Sequence, residues 1–257
     1  MLFAEKESNI IKSFQNVDLG DIVLLPETDD VEAIFNSIFE KEKWALWTDS
    51  SGKDAPPPDF FCDELGLMME VMRVDDHGFK KKGNIINPTL DREHQIEKEL
   101  REKGILDAFP NATLHINAVT GLPTREDHNY DFYLANFKRT VEKHKTKIVN
   151  YKQNHPGFKV LFFVFDESSM YCKVDQPNMT ITKNATFKCE PHWWFWDEEF
   201  VSVFENSEID CLIWFTPYKR VVTDPPLHLP RVCVFDCKKV VAEKKKYNPI
   251  FMMSSEE

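Results

Sequence analysis

Glycine is scarce in this sequence, with 8 residues among 257. A Gly-rich phosphate-binding loop is therefore hard to place, and neither a G-x-S-x-G nucleophile elbow nor an HExxH metal motif occurs. The most apolar runs, such as Val160–Phe165, are far shorter than the roughly 20 residues that span a bilayer. These absences argue against several common enzyme classes, and we expect no interaction with a membrane.

Positively charged residues are also fewer than negatively charged ones. The sequence has 32 Lys and Arg residues and 43 Asp and Glu residues, and its formal net charge is −11. Nucleic-acid binding draws most of its affinity from phosphate neutralisation, so indiscriminate binding is disfavoured, although a local basic face remains open. No CxxC pair occurs among the six cysteines, and the first residues show no signal-peptide pattern. We therefore expect reduced thiols and a cytoplasmic location.

Hydrophobic periodicity indicates the fold class. Val31–Phe39 carries one apolar stripe at helical spacing, residues 130–151 form a longer helical pattern, and Lys159–Phe165 is a continuous apolar strand. Strands separated by amphipathic helices are typical of α/β proteins. We predict a single α/β domain over residues 1–244, with a central mixed β-sheet flanked by helices, and a flexible tail over residues 245–257.

Two acidic residues stand eleven positions apart in what reads as a hairpin of short strands. Pro58-Asp59 opens the first strand, and Glu70 lies within the apolar run Leu67–Val74. Carboxylates on adjacent strands can point to one face and meet, and such a pair is a usual protein contribution to a Mg²⁺ site. In the plain alternative, Asp59 is a turn residue and Glu70 pairs with a basic side chain, because an unpaired buried Glu is costly.

This arrangement resembles the PD-(D/E)xK nuclease superfamily, which has the restriction-endonuclease-like fold. The matching residues are Pro58-Asp59, ten intervening residues, and Glu70-Val71-Met72. The order helix, three strands, helix, strand over residues 29–166 is also similar to the family core. The resemblance implies a metal-dependent phosphodiesterase in which Asp59 and Glu70 hold Mg²⁺ or Mn²⁺. It also implies an assisting acid on the first core helix, which would be Glu32 or Glu40.

The chain departs from the family at Met72, where the family has a lysine. Methionine can neither donate to a phosphate nor position an attacking water. Either a lysine has moved, or the protein is an inactive relative. The candidates for a moved lysine are Lys43 and the run of Lys80, Lys81 and Lys82, which could also bind substrate.

Further polar residues cluster near the ends of the predicted strands. Asp166 and Glu167 follow the apolar strand, where ligands of open α/β sheets tend to bind. They could serve a small-molecule enzyme, or they could simply end the strand in a turn. Asp75-Asp76-His77 follows Glu70 and could add ligands or a general base, with a solvated loop as the alternative.

The long helix carries a basic face that includes Lys138 and Arg139. This face could follow a phosphate backbone, or it could be a solvated surface paired with acids. On the apolar side of the same helix, His144 is more typical of a hydrogen-bonded core residue than of a ligand. The other basic residues of this face are Lys143, Lys145, Lys147 and Lys152.

An aromatic run contains Trp193, Trp194, Phe195 and Trp196. Four consecutive large aromatics cannot all point inward from one element. They could stack on bases, pack in the core, or form an interface between copies of the chain. This run supports a competing hypothesis, a non-catalytic binding or scaffold protein that self-associates through Trp193, Trp194 and Trp196.

Overall fold

A computed structural model describes residues 7–17, 22–51, 58–81, 84–86, 88–108, 128–177, 189–219, 229–239 and 244–255. Its strands, in chain order, are β1 Ile22–Leu25, β2 Thr48–Asp49, β3 Phe60–Cys62, β4 Leu67–Val74, β5 Phe79–Lys81, β6 Asn84–Ile86, β7 Lys159–Asp166, β8 Tyr171–Val174, β9 Cys189–Pro191, β10 Cys211–Phe215, β11 Val232–Asp236 and β12 Met252–Ser254. Its helices are α1 Glu7–Asn16, α2 Asp29–Phe39, α3 Lys41–Trp44, α4 Pro88–Glu102, α5 Ile105–Ala108, α6 Tyr130–Lys145, α7 Ile148–Asn154 and α8 Glu198–Val201.

Seven strands form a central mixed sheet in the order β1-β11-β10-β7-β4-β3-β2. The strand β7 lies in the middle and is parallel to both β4 and β10, whereas β3 and β2 are antiparallel additions at one edge. β7 pairs with all of β4, but the short β3 pairs only with Leu67–Met69. The second half of β4 therefore has no β3 partner on its outer side.

Helices cover both faces of the sheet, which explains the continuous apolar strands. Alternate residues of β7 separate into two cores: Leu161 and Phe163 pack with α1 and α2, while Phe162 and Val164 pack with α6 and α7. Asn129 caps α6 by accepting hydrogen bonds from the first-turn amides. The predicted α/β class, with a mixed sheet flanked by helices, is confirmed.

The aromatic run is divided between core and surface. It forms a short 3₁₀ turn, Trp194–Trp196, in which Trp194 and Phe195 are buried in the core under α6. Trp193 and Trp196 are half-buried beside them. The central part of the proposed self-association surface is therefore already used for packing within the chain, and self-association stays a prediction.

A smaller antiparallel sheet includes the C-terminal strand. β12 pairs with β8, which pairs with β9, and Met253 and Ser254 are buried there. This strand lies within residues 245–257, for which the sequence predicts a flexible tail. Within the part of the chain that the structure describes, no helix combines the length and hydropathy needed to cross a membrane.

Candidate active site

Asp59 and Glu70 lie next to each other where β3 and β4 separate. The last pair of this ladder is Phe60 with Met69, so the two acids stand just beyond it on the face that α6 covers. Asp59 Oδ2 accepts a hydrogen bond of 2.8 Å from the backbone amide of Val71. The structure thus brings together the two carboxylates that the sequence singles out.

Glu70 is 3% exposed and contacts two cationic or potentially cationic side chains of the helical layer above it. His144 Nδ1 lies 2.5 Å from Glu70 Oε1, and Lys147 Nζ donates to the same oxygen at 2.8 Å. The other oxygen, Oε2, is buried and makes no hydrogen bond among the described residues. Burial favours a higher pKa for Glu70, but the His144 and Lys147 contacts outweigh it and lower the pKa.

The pKa of the Asp59 carboxyl shifts in the opposite direction, upward. Burial, the negative charge of Glu70 and that of Glu7 on α1 together raise its pKa to about 7, against the hydrogen bond from the Val71 amide and the charge of Lys147, which lower it. Near neutral pH the pair therefore holds an ionised Glu70 beside an Asp59 that is partly protonated. Two carboxylates with such different environments are typical of a functional site.

The acid that approaches the pair from a helix is Glu7, and not Glu32. Glu32 is exposed on α2, whose buried residues pack on the opposite face of the sheet. Glu40 follows α2 and forms a surface ion pair with Lys43, so neither reaches Glu70. The expectation for Glu32 and Glu40 is corrected: α1 packs on the same face of the sheet as α2, but it is α1 that lines the cavity at the open edge of β4, with Glu7 and Ile10.

A cavity of about 350 Å³ opens beside the pair, along the part of β4 that β3 leaves uncovered. Arg73 lines it from β4, Glu7 lines it from α1, and one side of α6 lines it with Arg139, Lys143 and His144. These α6 residues are three to four positions apart and share one helix face, and Lys147 follows just beyond the end of α6. Cations thus border the cavity in a protein that is acidic overall.

The other predicted basic residues have different positions. Lys138 pairs with Glu199 of α8, away from the cavity, while Arg139 donates to Asn136 and lines the cavity. Lys80 and Lys81 belong to β5, but their side chains are outside the described residues, as is the whole of Lys82. The lysine that reaches Glu70 is Lys147.

Asp166 lies at the carboxyl end of β7 but is fully buried. It accepts hydrogen bonds from Tyr133 at 2.5 Å and Trp214 at 2.9 Å, and Lys219 Nζ lies 3.5 Å away. Its neighbour Glu167 forms an ion pair of 2.6 Å with Arg73. Asp166 is therefore an internal charge with several partners, which disfavours a small-molecule site built on its carboxylate.

His77 and Asp76 are also buried, so the solvated-loop interpretation of residues 75–77 is wrong. His128, which no sequence pattern singled out, lies against both. Asp76 accepts hydrogen bonds from Ser169 and Tyr171 and contacts His128, and these partners allow its carboxylate to be buried. Together with His128 they form a second cluster, distinct from Asp59 and Glu70.

Sequence reasoning did not assign a role to Glu7 or to Lys147 individually. No sequence pattern singles out Glu7, because its approach to Asp59 depends on how α1 packs at the edge of the sheet. Lys147 could have been found, since it follows His144 by one helical turn and both therefore face the same strand. Comparison with known proteins found no matching family model, no matching curated protein and no matching solved structure.

Proposed function

We propose that this protein is a divergent metal-dependent phosphodiesterase of the nuclease type, in which Asp59 and Glu70 hold Mg²⁺ or Mn²⁺. The observation that carries the proposal is the convergence of these two carboxylates beside Lys147. A cavity lies next to them, lined by Val71 and His144, which contact the pair, and by Arg139 and Lys143. With α3, the segment β5 to α5 and the short α7 left aside, the element order α2, β2, β3, β4, α6, β7 supports it, because it is the order that accompanies the nuclease resemblance.

The donor set suits a hard divalent cation. Val71 occupies one oxygen of Asp59, and Lys147 and His144 contact one oxygen of Glu70, which leaves one oxygen of each carboxylate. The remaining Glu70 oxygen is buried and makes no hydrogen bond of good geometry, although the Tyr151 hydroxyl lies close to the carboxylate. A cation facing this oxygen would offset the cost of its burial. A bound Mg²⁺ or Mn²⁺ would activate a water and stabilise charge that develops on a phosphate.

The side chains around the pair supply the remaining functions. Lys147 stands where it can orient a phosphate or water next to Glu70, which replaces the lysine that Met72 cannot supply. Arg139 and Lys143 line the cavity and are suited to bind phosphates that flank the reacting one. Arg73 is held by Glu167 through Nε and Nη2, so we assign it a supporting position.

The substrate class that fits this rim is nucleic acid, and DNA and RNA remain equal candidates. We also propose a cytoplasmic location, in keeping with the free thiols of Cys62, Cys172, Cys211, Cys233 and Cys237. The competing hypothesis of a scaffold that self-associates through its tryptophans has less support, because Trp194 is buried in the core.

A cleavage screen tests the proposal. Labelled single-stranded and double-stranded DNA and RNA are incubated with the wild type, with Asp59→Asn and with Glu70→Gln, in Mn²⁺, in Mg²⁺ and in EDTA. We expect cleavage of at least one substrate that requires the metal and falls at least about 100-fold in each variant. The matched control is Glu142→Gln, a surface acid of α6 that should cleave like the wild type. Cleavage of none of the four substrates, or cleavage that persists in both variants, would contradict the proposal.

A further inference from the structure

A cluster of side chains that can bind metals lies at the carboxyl end of β4, outside the proposed active site. Asp76 and His77 follow β4, and His128 precedes the cap of α6. A β-bridge joins His77 to His128, and their rings lie 4.1 Å apart between centroids. Asn136 of α6 donates to the carbonyl of His77 at 3.2 Å, which fixes the segment against the helix.

The spacing of the three side chains fits one coordination sphere. Each offers a ligand atom, and these atoms all lie within 4.8 Å of one another. Asp76 Oδ1 and His128 Nδ1 are 3.0 Å apart. Two ligands at right angles around a divalent ion, each at about 2.1 Å, are also separated by about 3.0 Å. A metal ion could therefore replace the proton that bridges these atoms with little movement.

Asp76 is oriented for this role by its other oxygen. Oδ2 accepts hydrogen bonds from the amide and hydroxyl of Ser169 at 3.1 and 2.5 Å and from the hydroxyl of Tyr171 at 2.8 Å. These donors fix the carboxylate with Oδ1 toward His128. Metal sites commonly hold their ligating carboxylates through such supporting hydrogen bonds.

Two neighbouring carboxylates independently indicate a cation. Glu93 of α4 is 3% exposed and the Glu167 side chain is 5% exposed, and each has a buried oxygen, Oε1, without a hydrogen bond in the described structure. Glu93 lies within electrostatic range of His77 and of Glu167. An unpartnered buried carboxylate oxygen is costly, and Arg73 contacts only the other oxygen of Glu167. A divalent ion at the cluster would give these two oxygens a counter-charge.

We propose that Asp76, His77 and His128 bind a divalent transition-metal ion, with Glu93 and Glu167 as adjacent carboxylates. Mixed imidazole and carboxylate donors suit Zn²⁺, Mn²⁺ or Fe²⁺ better than Mg²⁺. The ion would connect the end of β4 to the start of α6, and so stabilise the helix that carries His144. This site uses none of the residues of the proposed active site.

Calorimetric titration of Zn²⁺ into EDTA-treated protein tests the proposal. The proteins are the wild type, the double variant His77→Asn/His128→Asn, and the control His94→Asn, which replaces an exposed histidine of α4. Asp59→Asn/Glu70→Gln is added to separate this site from the active site. Any further binding event at Asp59 and Glu70 is absent from Asp59→Asn/Glu70→Gln. The event at the histidine site should keep the same affinity in the wild type, His94→Asn and Asp59→Asn/Glu70→Gln, and its affinity should fall at least about tenfold in His77→Asn/His128→Asn. Unchanged affinity in that variant would overturn the site, whatever the cleavage screen shows.

A second measurement avoids any change at the two histidines. Mn²⁺ is added to Asp59→Asn/Glu70→Gln, and electron spin-echo modulation is recorded for the bound ion. Modulation from imidazole nitrogen is the expected result, and its absence would overturn the assignment of His77 and His128 as ligands. Zn²⁺ should also raise the melting temperature of the wild type and of His94→Asn, because an ion that binds only the folded state stabilises it.

Discussion

The ammonium of Lys147 lies 2.8 Å from Oε1 of Glu70, although the two residues are 77 positions apart in the chain. Met72 is buried in the core beneath α6 and is 3% exposed. The strand that carries Glu70 therefore has an apolar side chain where the nucleases that the sequence resembles have a lysine. Lys147, which belongs to the helical layer above the strand, places a cation beside Glu70 instead.

Replacing Lys147 tests whether this cation takes part in the reaction. Lys147→Met should lower phosphodiester cleavage by about 100-fold, because the ammonium would no longer orient the reacting group beside Glu70. Lys147→Arg should retain more of the activity, since it keeps the charge. The control is Lys152→Met, which removes a surface partner of Glu208. Equal rates for Lys147→Met and Lys152→Met would show that the contact is only structural.

The Glu70 contacts should also contribute to stability. Glu70→Gln removes the charge that His144 and Lys147 face, and we expect a loss of about 2 kcal/mol in the free energy of unfolding. Lys147 is 38% exposed and can turn to solvent, which limits the loss. Urea denaturation measures it, with Glu142→Gln, half exposed on α6, as the comparison. A Glu70→Gln protein as stable as Glu142→Gln would contradict the ion-pair description.

The local sequence pattern predicts that Asp59 and Glu70 meet, but it cannot predict that Glu7 and Lys147 join them. Asp59 and Glu70 belong to one hairpin, so their spacing and the alternation of β4 already place them together. Glu7 and Lys147 reach the pair through the packing of α1 and of the segment between α6 and α7, which no periodicity encodes. For the same reason the sequence pointed to Glu32, which has the expected place in the order of elements but is exposed on α2, whereas α1 on the same face of the sheet brings Glu7 toward Asp59.

Asp59 should make stability depend on pH in metal-free protein. Its pKa in the folded state is raised to about 7, by burial first and then by the charge of Glu70. A raised carboxyl pKa contributes stability below the unfolded value, and this contribution is lost as pH rises toward 7. The free energy of unfolding of Asp59→Asn, taken relative to that of the wild type, should therefore increase by at least about 1 kcal/mol from pH 5 to pH 8.

Urea denaturation at the two pH values, in EDTA, gives this difference directly. The exposed turn residue Asp63 provides the control, because Asp63→Asn should follow the wild type at both pH values. Other groups that titrate in this range cancel in the comparison. A difference between Asp59→Asn and wild type that is constant with pH would contradict the assignment.

The buried charge at Asp166 should be among the largest single contributions to stability. Asp166→Asn would leave the ammonium of Lys219 buried without its counter-charge, at a cost of about 3 kcal/mol or more. Thermal or urea unfolding measures the loss. Glu190→Gln, which removes an exposed partner of Lys173, should cost less than about 0.5 kcal/mol. A similar small loss in both variants would mean that Asp166 is not the partner that keeps Lys219 charged.

The cluster of Asp76, His77 and His128 shows a second limit of sequence reasoning. A polar segment such as residues 75–77 is typical of a solvated loop, yet Asp76 is fully buried because Ser169, Tyr171 and His128 all bond to it. These partners come from segments that are more than 50 positions away, and they meet only because β4 and β7 are neighbours and α6 crosses them.

The most direct measurement is a calorimetric titration of Mn²⁺ in a background that lacks the histidine site. The titration compares His77→Asn/His128→Asn with the same protein that also carries Asp59→Asn/Glu70→Gln. If Asp59 and Glu70 form the catalytic metal site, the first protein binds one Mn²⁺ per chain and the second binds none. Identical titrations of the two proteins would contradict the account, because the carboxylate pair would then hold no metal.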